Sequence, residues 1–483
     1  MRTPRITRLL VLIAAIALLV AACGQSTTTS APGASQAPGS SAAPPASQPA
    51  SNGEVVELRW YCCLGGGDAP EQVEVEQQVV EEFNASHPTI HLTFEAVPYE
   101  GARDALATQI ASGNGPDIVG PVGIGGAEAF HGQWLDLQPL IDSTGYDLGQ
   151  YPESTVELYN VGGEGQLGIP FAIYPSALFY KKSHFEEAGL NEPPHDWNGT
   201  YTMPDGTERP WDWDTVREIA KLLTVDKNGK DATQDGFDPE NIVQWGLEPQ
   251  RDDLRQTGAY WGPGQLAGGA DGTTVEIPDA WVAGWKAFYD GMWTDHYSMT
   301  GPQFESDELN PSDYPFFTGN VSMSPNYLWS TYGVADAGDD WDLAATPSYN
   351  GTTTAAFNAD TFRIHKDTKH PEEAFEALTY LLGDASSTLL TTYGGMPARP
   401  EEQDAFFTTL QKGFTNEVDW NVAKEGVNFA DVPNFESYMP AYNESLDKLI
   451  EFGTKWQSNA GLNIDTEVQD LTTQLQAIWD QEG

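Results

Sequence analysis

Positive charge and cysteine are what this sequence has least of. Lys and Arg number 23 against 71 Asp and Glu. A surface of that sign repels phosphate backbones and anionic headgroups, which excludes nucleic acid and a charged membrane surface as partners. His numbers 8, with no ligand-like spacing. Neither H-E-x-x-H, nor G-x-S-x-G, nor a Walker loop occurs, so zinc-hydrolase, serine-esterase and P-loop chemistry have no motif to rest on. Three Cys are too few for a disulfide scaffold. Beyond residue 22 no apolar run approaches the roughly 20 residues of a membrane helix. With 71 carboxylates, no spacing of two acids identifies a glycosidase pair.

What is present begins with an address. Arg2, Arg5 and Arg8 precede an uninterrupted apolar run from Leu9 to Ala22, the size of a signal-peptide core. It ends in Val20-Ala21-Ala22-Cys23-Gly24, which resembles the bacterial lipobox. Residues 1–22 therefore read as a lipoprotein signal peptide, with Cys23 as the lipidated residue. Residues 23–53 read as a linker of Ser, Thr, Ala, Pro, Gly and Gln without a charge. Such a segment cannot bury enough apolar surface to fold, and as a coil it spans roughly 30 Å. The expected location is extracytoplasmic, anchored to the cell membrane by lipid. Losing the signal segment leaves 20 basic against 71 acidic residues, a net of −51. That charge suits solubility outside the cell, and a cationic ligand is the alternative reason for it.

The body from residue 54 exceeds one ordinary core, so two domains are expected. Strand Val55–Tyr61, helix Pro70–Ser86, strand Ile90–Val97, helix Ala102–Ser112 and strand Asp117–Val119 alternate as in a parallel α/β sheet. Ligands sit beyond the carboxyl ends of such strands, which singles out the loops Cys62–Ala69 and Gly120–Gly126. Further helices are expected over Trp213–Leu223, Asp279–Asp290, Pro371–Leu382 and Asp465–Trp479.

Five segments carry a family pattern in order. They are Ala111-Ser112-Gly113-Asn114-Gly115-Pro116-Asp117-Ile118-Val119, Ala177-Leu178-Phe179-Tyr180-Lys181-Lys182 with Leu190 and Pro193-Pro194, Gly319-Asn320-Val321-Ser322-Met323, Lys369-His370-Pro371-Glu372-Glu373-Ala374-Phe375, and Gly395-Met396-Pro397-Ala398-Arg399. Over nearly the whole body the chain resembles the extracellular solute-binding proteins of ABC sugar importers, the maltose-binding-like group. The resemblance implies an α/β, two-lobed periplasmic-binding-protein fold with the ligand in a cleft between lobes. It places one lobe at 54–171 plus 356–400 and the other at 172–355 plus 401–483. It implies a monomeric carrier, not an enzyme, that hands a mono- or oligosaccharide to permease subunits and requires no cofactor. The loop after Val119 lacks the polar and aromatic residues that maltose binders carry there. The alternatives from other classes are a lipid-anchored glycoside hydrolase and a binder of a cationic ligand such as a polyamine.

By position in the family pattern, the expected ligand contacts are Tyr174, Trp261, Asn326, Trp329, Asn358, Asp360 and Arg399. Aromatic faces suit the C–H face of a sugar ring, and planar polar groups suit its hydroxyls. A structural calcium site is expected at Asp226, Asn228 and Asp238, where oxygen side chains alternate around Gly229. Once Cys23 is lipidated, Cys62 and Cys63 are the only thiols left in an exported chain, so they are expected to form a vicinal disulfide. A trans peptide would hold their Cα atoms about 3.8 Å apart. The pair closes the first strand, where its sulfurs are expected to form an apolar face for the ligand.

Overall fold

The computed structural model describes residues 55–251, 253–269, 272–306, 315–331 and 340–481. The signal peptide, Cys23 and the linker lie outside the described residues. Among those described, no helix is long and apolar enough to cross a membrane.

The chain opens β1 (Val56–Cys62), α1 (Pro70–Ser86), β2 (Ile90–Ala96), α2 (Tyr99–Ala111), β3 (Ile118–Gly123) and α3 (Ile124–Glu128). Alternation on β1 buries Leu58 and Trp60 on one face, and Tyr61 closes the other. α1 starts where Pro70 fixes φ at the first helical position. The side-chain oxygen of Gln72 accepts from Gly67 N at 3.1 Å, meeting a donor of the preceding loop. Glu76, Val79, Val80 and Phe83 form the buried stripe of α1. β2 and β3 both pair with β1 in parallel.

The sheet does not stay parallel. β4 (Ala172–Pro175), then after the long excursion β8 (Phe357–Ile364) and β9 (Met396–Pro397), extend it in the order β9-β4-β8-β3-β1-β2, and each of these additions is antiparallel to its neighbours. The expected parallel sheet is thus only its first half. β4 and β8 enter from other parts of the chain rather than by a helical crossover, so nothing imposes the parallel direction. The expected loop Gly120–Gly126 is also different. β3 continues through Gly123 and runs directly into α3.

A second sheet has β5 (Ala177–Lys181) at its centre. β6 (Met323–Asn326) and β7 (Trp341–Ala344) flank it, both antiparallel. All three strands are buried along their length, and Trp341 stacks on Phe179 with centroids 5.7 Å apart. Around it lie α4 (Trp213–Leu223), α5 (Leu254–Ala259) and α6 (Asp279–Trp293). After β8 come α7 (Pro371–Leu382), α8 (Ser386–Tyr393), α9 (Pro400–Leu410), α10 (Tyr442–Ser458) and α11 (Ile464–Trp479).

Between the sheets the chain passes several times through one place. Ser176, the single residue separating β4 from β5, donates its N–H to Ala356 O at 2.9 Å. Ala355 N donates to Phe429 O at 2.8 Å, and Asp431 N returns to Ala355 O at 3.1 Å. The buried Asp431 carboxylate accepts from Phe357 N and Phe435 N, both at 2.8 Å.

One close approach in the second half is especially demanding. A Cβ on Gly246 would lie 1.9 Å from the Ala220 carbonyl oxygen of α4, a backbone atom that cannot swing aside. Gly246→Ala is expected to cost about 3 kcal/mol or more through overpacking. Chemical denaturation of the purified body checks this, and a loss below about 1 kcal/mol would show that α4 can retreat.

Candidate ligand-binding site

The carboxyl ends of β1 and β3 and the start of β8 meet one another, and the polar groups there are poorly satisfied by the protein. Asn358 and Asp360 lie two apart on β8 and so share one face. Asn358 pairs with Tyr174 in the β8–β4 register, and Asp360 pairs with both Ala172 and Gly123. Asn358 is buried, and its Nδ2 has no acceptor. Burial alone pushes the Asp360 carboxyl up to about 7.

Glu436 comes from a distant loop to the same point. A Cβ on Gly123 would be 3.2 Å from Asp360 Oδ1 and 3.9 Å from Glu436 Oε2. Burial pushes Glu436 up to about 7, against the pull of the Arg255 guanidinium. Its Oε2 has no donor. Arg255 is itself held by Asp253, with Nη2 to Oδ2 at 2.7 Å, and donates to Tyr442 Oη at 3.1 Å.

An aromatic wall borders these groups. Trp329 is half-buried and stacks on Tyr327 with centroids 4.3 Å apart. Tyr174 packs against it at 5.0 Å. The Trp329 indole N–H donates to Gln250 Oε1 at 3.2 Å, which fixes the ring's plane. This patch brings together one aromatic face, two acceptor carboxylates and an amide donor. It can hold a compact polar ligand.

The pattern of a protein family covers these elements. Residues 69–387 match the model for bacterial extracellular solute-binding proteins. The chain belongs to that family. Among its relatives, an uncharacterized lipoprotein from the oleD 5′ region of Streptomyces antibioticus is 24% identical over 65% of this chain and 64% of its own length. A binding protein of Brucella abortus is 30% identical over 68% of this chain and 73% of its own. The chain thus spans just under two thirds of the first of these relatives.

Solved structures of similar shape include a Listeria monocytogenes ABC substrate-binding protein in complex with cycloalternan, with TM-score 0.65 and 17% identity over 88% of this chain and 98% of that one. The sugar-binding protein MalE from Xanthomonas citri gives 0.66 and 15% over 88% and 98%. UgpB from Mycobacterium tuberculosis with glycerophosphocholine gives 0.65 and 14% over 88% and 99%. At such identities the likeness establishes the fold, and this solute-binding protein has the two-lobed periplasmic-binding-protein fold.

Of the residues expected from sequence, the fold gathers Tyr174, Trp329, Asn358 and Asp360 into the patch. It gives others different work. Trp261 is a core residue, stacked on Trp213 at 3.9 Å and edge-on to Phe288 at 5.0 Å. Asn326 turns inward, and its Oδ1 accepts from Tyr327 N at 2.8 Å and Ser330 Oγ at 2.7 Å, closing the turn that carries Trp329. Arg399 clamps helices together. It donates to the Leu382 carbonyl at the end of α7 and to Ser386 Oγ at 2.9 Å, and pairs with Glu402 at 3.0 Å.

The residues of the calcium expectation, Asp226, Asn228 and Asp238, lie together in one turn. Asp226 Oδ1 accepts from Asn228 N at 2.7 Å and Lys230 N at 3.0 Å, and Oδ2 accepts from Asp238 N at 2.9 Å. Asn228 turns its amide Nδ2 to Asp226 at 3.3 Å, and Lys227 lies 3.4 Å from Asp238. The loop's own N–H groups and a lysine ammonium thus engage these carboxylates within the turn.

Cys62 and Cys63 do form a disulfide. Their peptide bond is cis, with Cα atoms 3.2 Å apart in place of the trans spacing expected. The sulfurs do not face a ligand. Both residues have 0% exposure, and Cys62 Sγ lies 3.6 Å from Gly66 O and from Glu76 Oε1. Gly67, at φ 110°, covers the pair so closely that a Cβ there would sit 2.7 Å from Cys62 Sγ. The bridge is therefore the floor under the loop that lines the site, one layer below its surface.

Sequence reasoning missed Glu436, Gln250 and Glu76. Glu436 and Gln250 sit on irregular segments with no periodicity, and only tertiary packing brings them in. Glu76 reads as the polar side of α1, yet it is buried against the disulfide with Tyr393 Oη donating to it at 2.5 Å. Burial pushes its carboxyl up to about 8.

A raised carboxyl keeps its proton in the folded state where the unfolded chain has lost it. Its contribution to stability is therefore complete below about pH 4.5 and falls as pH rises to the folded value. Glu76→Gln is expected to stabilise the protein more at pH 8 than at pH 6. His184 and His365, which burial holds neutral, act with opposite sign below about pH 6.5. They are common to both proteins, so the quantity to follow is the variant's Tm minus the native Tm. An increment equal at both pH values would place the Glu76 proton elsewhere.

Proposed function

We propose that this protein is an extracytoplasmic lipoprotein that captures a carbohydrate and delivers it to the permease of an ABC importer. The observation that carries the reading is the pairing of the Trp329–Tyr174 wall with Asn358, Asp360 and Glu436. A sugar has an apolar C–H face and a rim of hydroxyls that both donate and accept. The wall suits the face. The hydroxyls suit two acceptor carboxylates and one free amide donor, groups that are costly to leave unpaired when buried.

The two sheets, joined where Ser176, Ala356 and Asp431 meet, are read as two lobes at 54–171 plus 356–400 and 172–355 plus 401–483. Closure about that junction on ligand binding is the hinge movement that a permease would read. The lipobox-like segment ending at Cys23 supports a lipid anchor, as does a relative named as a lipoprotein. The ligands named for similar structures, cycloalternan and glycerophosphocholine, are both hydroxyl-bearing and differ in charge. The choice of a sugar for this chain therefore rests on the patch itself.

A hydrolase reading would need one carboxyl kept protonated and its partner kept ionised. Asp360 and Glu436 are pushed in the same direction, both to about 7. An acid–base pair is instead recognised by environments that push its two members apart.

Thermal-shift and titration calorimetry against mono- and oligosaccharides, amino acids, polyamines and glycerophosphodiesters test the proposal. A carbohydrate at a hundred times its Kd should stabilise the protein by about 2.7 kcal/mol. Trp329→Ala should weaken its binding at least about tenfold, the value of roughly 1.4 kcal/mol from one aromatic face. A response confined to the other ligand classes, or carbohydrate binding indifferent to Trp329, would overturn it.

A further inference from the structure

The charge balance of the site points to something narrower than a neutral sugar. Asp360 and Glu436 both reach the Gly123 position, with oxygens 3.2 and 3.9 Å from the point a Cβ there would occupy. Among the described residues neither forms a salt bridge. Arg255 pairs with Asp253, with Nε 3.0 Å and Nη2 2.7 Å from Oδ2, while its Nη1 has no partner and its charge also pulls on Glu436; the guanidinium of Arg363, further along β8, lies 5.0 Å from the Tyr159 ring. Asp253, Glu436 and Asp360 thus share the single guanidinium of Arg255, which leaves carboxylates in excess. Tyr442 beside Glu436 and Tyr174 beside Asp360 are phenols that burial keeps neutral, so they add no positive charge.

A second, independent feature marks the place as built for a ligand. Asn358, 9% exposed and on the same face of β8 as Asp360, has an amide Nδ2 without an acceptor. An amide donor asks for an oxygen and the two carboxylates ask for a cation. The adjoining Trp329 face asks for a ring. A polyamine supplies the cation but neither the oxygen nor the ring, and a neutral sugar leaves the excess carboxylate charge to be relieved only by taking up protons.

We propose that the ligand is an amine-bearing carbohydrate whose ammonium group lodges between Asp360 and Glu436. A hydroxyl of the same sugar accepts from Asn358, and the ring lies on Trp329. This rests on the carbohydrate reading above and narrows it.

The test is calorimetric titration of the full folded body with matched probes. They are 6-amino-6-deoxyglucose and glucosamine oligosaccharides, their N-acetylated forms, glucose and cellobiose, and spermidine. Amine-bearing sugars should bind at least about tenfold more tightly than the acetylated and neutral ones, about 1.4 kcal/mol. Asp360→Asn and Glu436→Gln, which keep shape and remove charge, should each erase that preference, so that amine-bearing and acetylated sugars bind each variant alike.

A second readout needs no variant. The alkylammonium of the 6-amino sugar stays charged at pH 8, like a lysine of pKa about 10.4. Lowering the pH from 8 to 5.5 protonates both carboxylates, which titrate near 7. Affinity for that sugar should fall at least about tenfold, the loss of about 1.4 kcal/mol, and by more than the affinity for its N-acetylated form. Neutral sugars that bind as tightly as amine-bearing ones would overturn this inference and leave the carbohydrate reading standing. Spermidine as the sole ligand would overturn both. No saturable binding of any amine-bearing sugar at millimolar concentration would overturn the inference.

Discussion

The pairing of β4 with β8 is the constraint from which the site follows. These strands come from chain segments almost two hundred residues apart, and their register sets Asn358 opposite Tyr174 and Asp360 opposite Ala172. The same register delivers Asp360 to Gly123 at the end of β3. A slip of one residue would turn Asn358 and Asp360 to the other face. Asp431 guards against it by holding Phe357 N and Phe435 N with one buried carboxylate. The peptide that fixes β8 therefore also fixes the loop that carries Glu436.

Around that pairing, polar satisfaction is uneven in an informative way. In the supporting layer Asn326 closes its turn, Arg399 ties three chain segments together, and one oxygen of Glu76 takes the Tyr393 hydroxyl while its Oε2 has no partner. The disulfide sits in this layer beneath Gly66 and Gly67. The surface layer is not satisfied by the protein, with Asn358 Nδ2 and Glu436 Oε2 lacking partners. Buried polar groups that a fold leaves open are costly, and they persist where something else completes them.

How much of this was legible in the sequence depended on whether the signal was local. α1, α4 and α7 begin and end where Pro70, Trp213 and Pro371 and their apolar spacing place them. The parallel trio β1 to β3 was equally legible, because two helices of sufficient length separate its strands. The antiparallel half of the sheet was not, since β8 finds β4 only through tertiary pairing. Among site residues, Tyr174, Asn358 and Asp360 were singled out only because the family pattern marks the two passages between sheets, and the strand that sets Asn358 and Asp360 on one face was not read from the sequence. Trp261 was misplaced, because an aromatic in an irregular loop can face core or ligand, and Trp213 decides the matter from a different helix. The disulfide was legible as chemistry and not as a surface, since Gly67 and Glu76 cover it only in three dimensions.

The central claim is that ligand binds where β8 meets the Trp329 wall. A crystal structure of the protein grown with a carbohydrate that stabilises it tests this most directly. The account predicts a sugar ring lying on the Trp329 face, with polar atoms within hydrogen-bonding distance of Asn358 Nδ2 and the Asp360 and Glu436 carboxylates. A ligand seated elsewhere, such as the groove lined by Leu140, Tyr146 and Phe375, with Asn358 and Asp360 untouched, would contradict it.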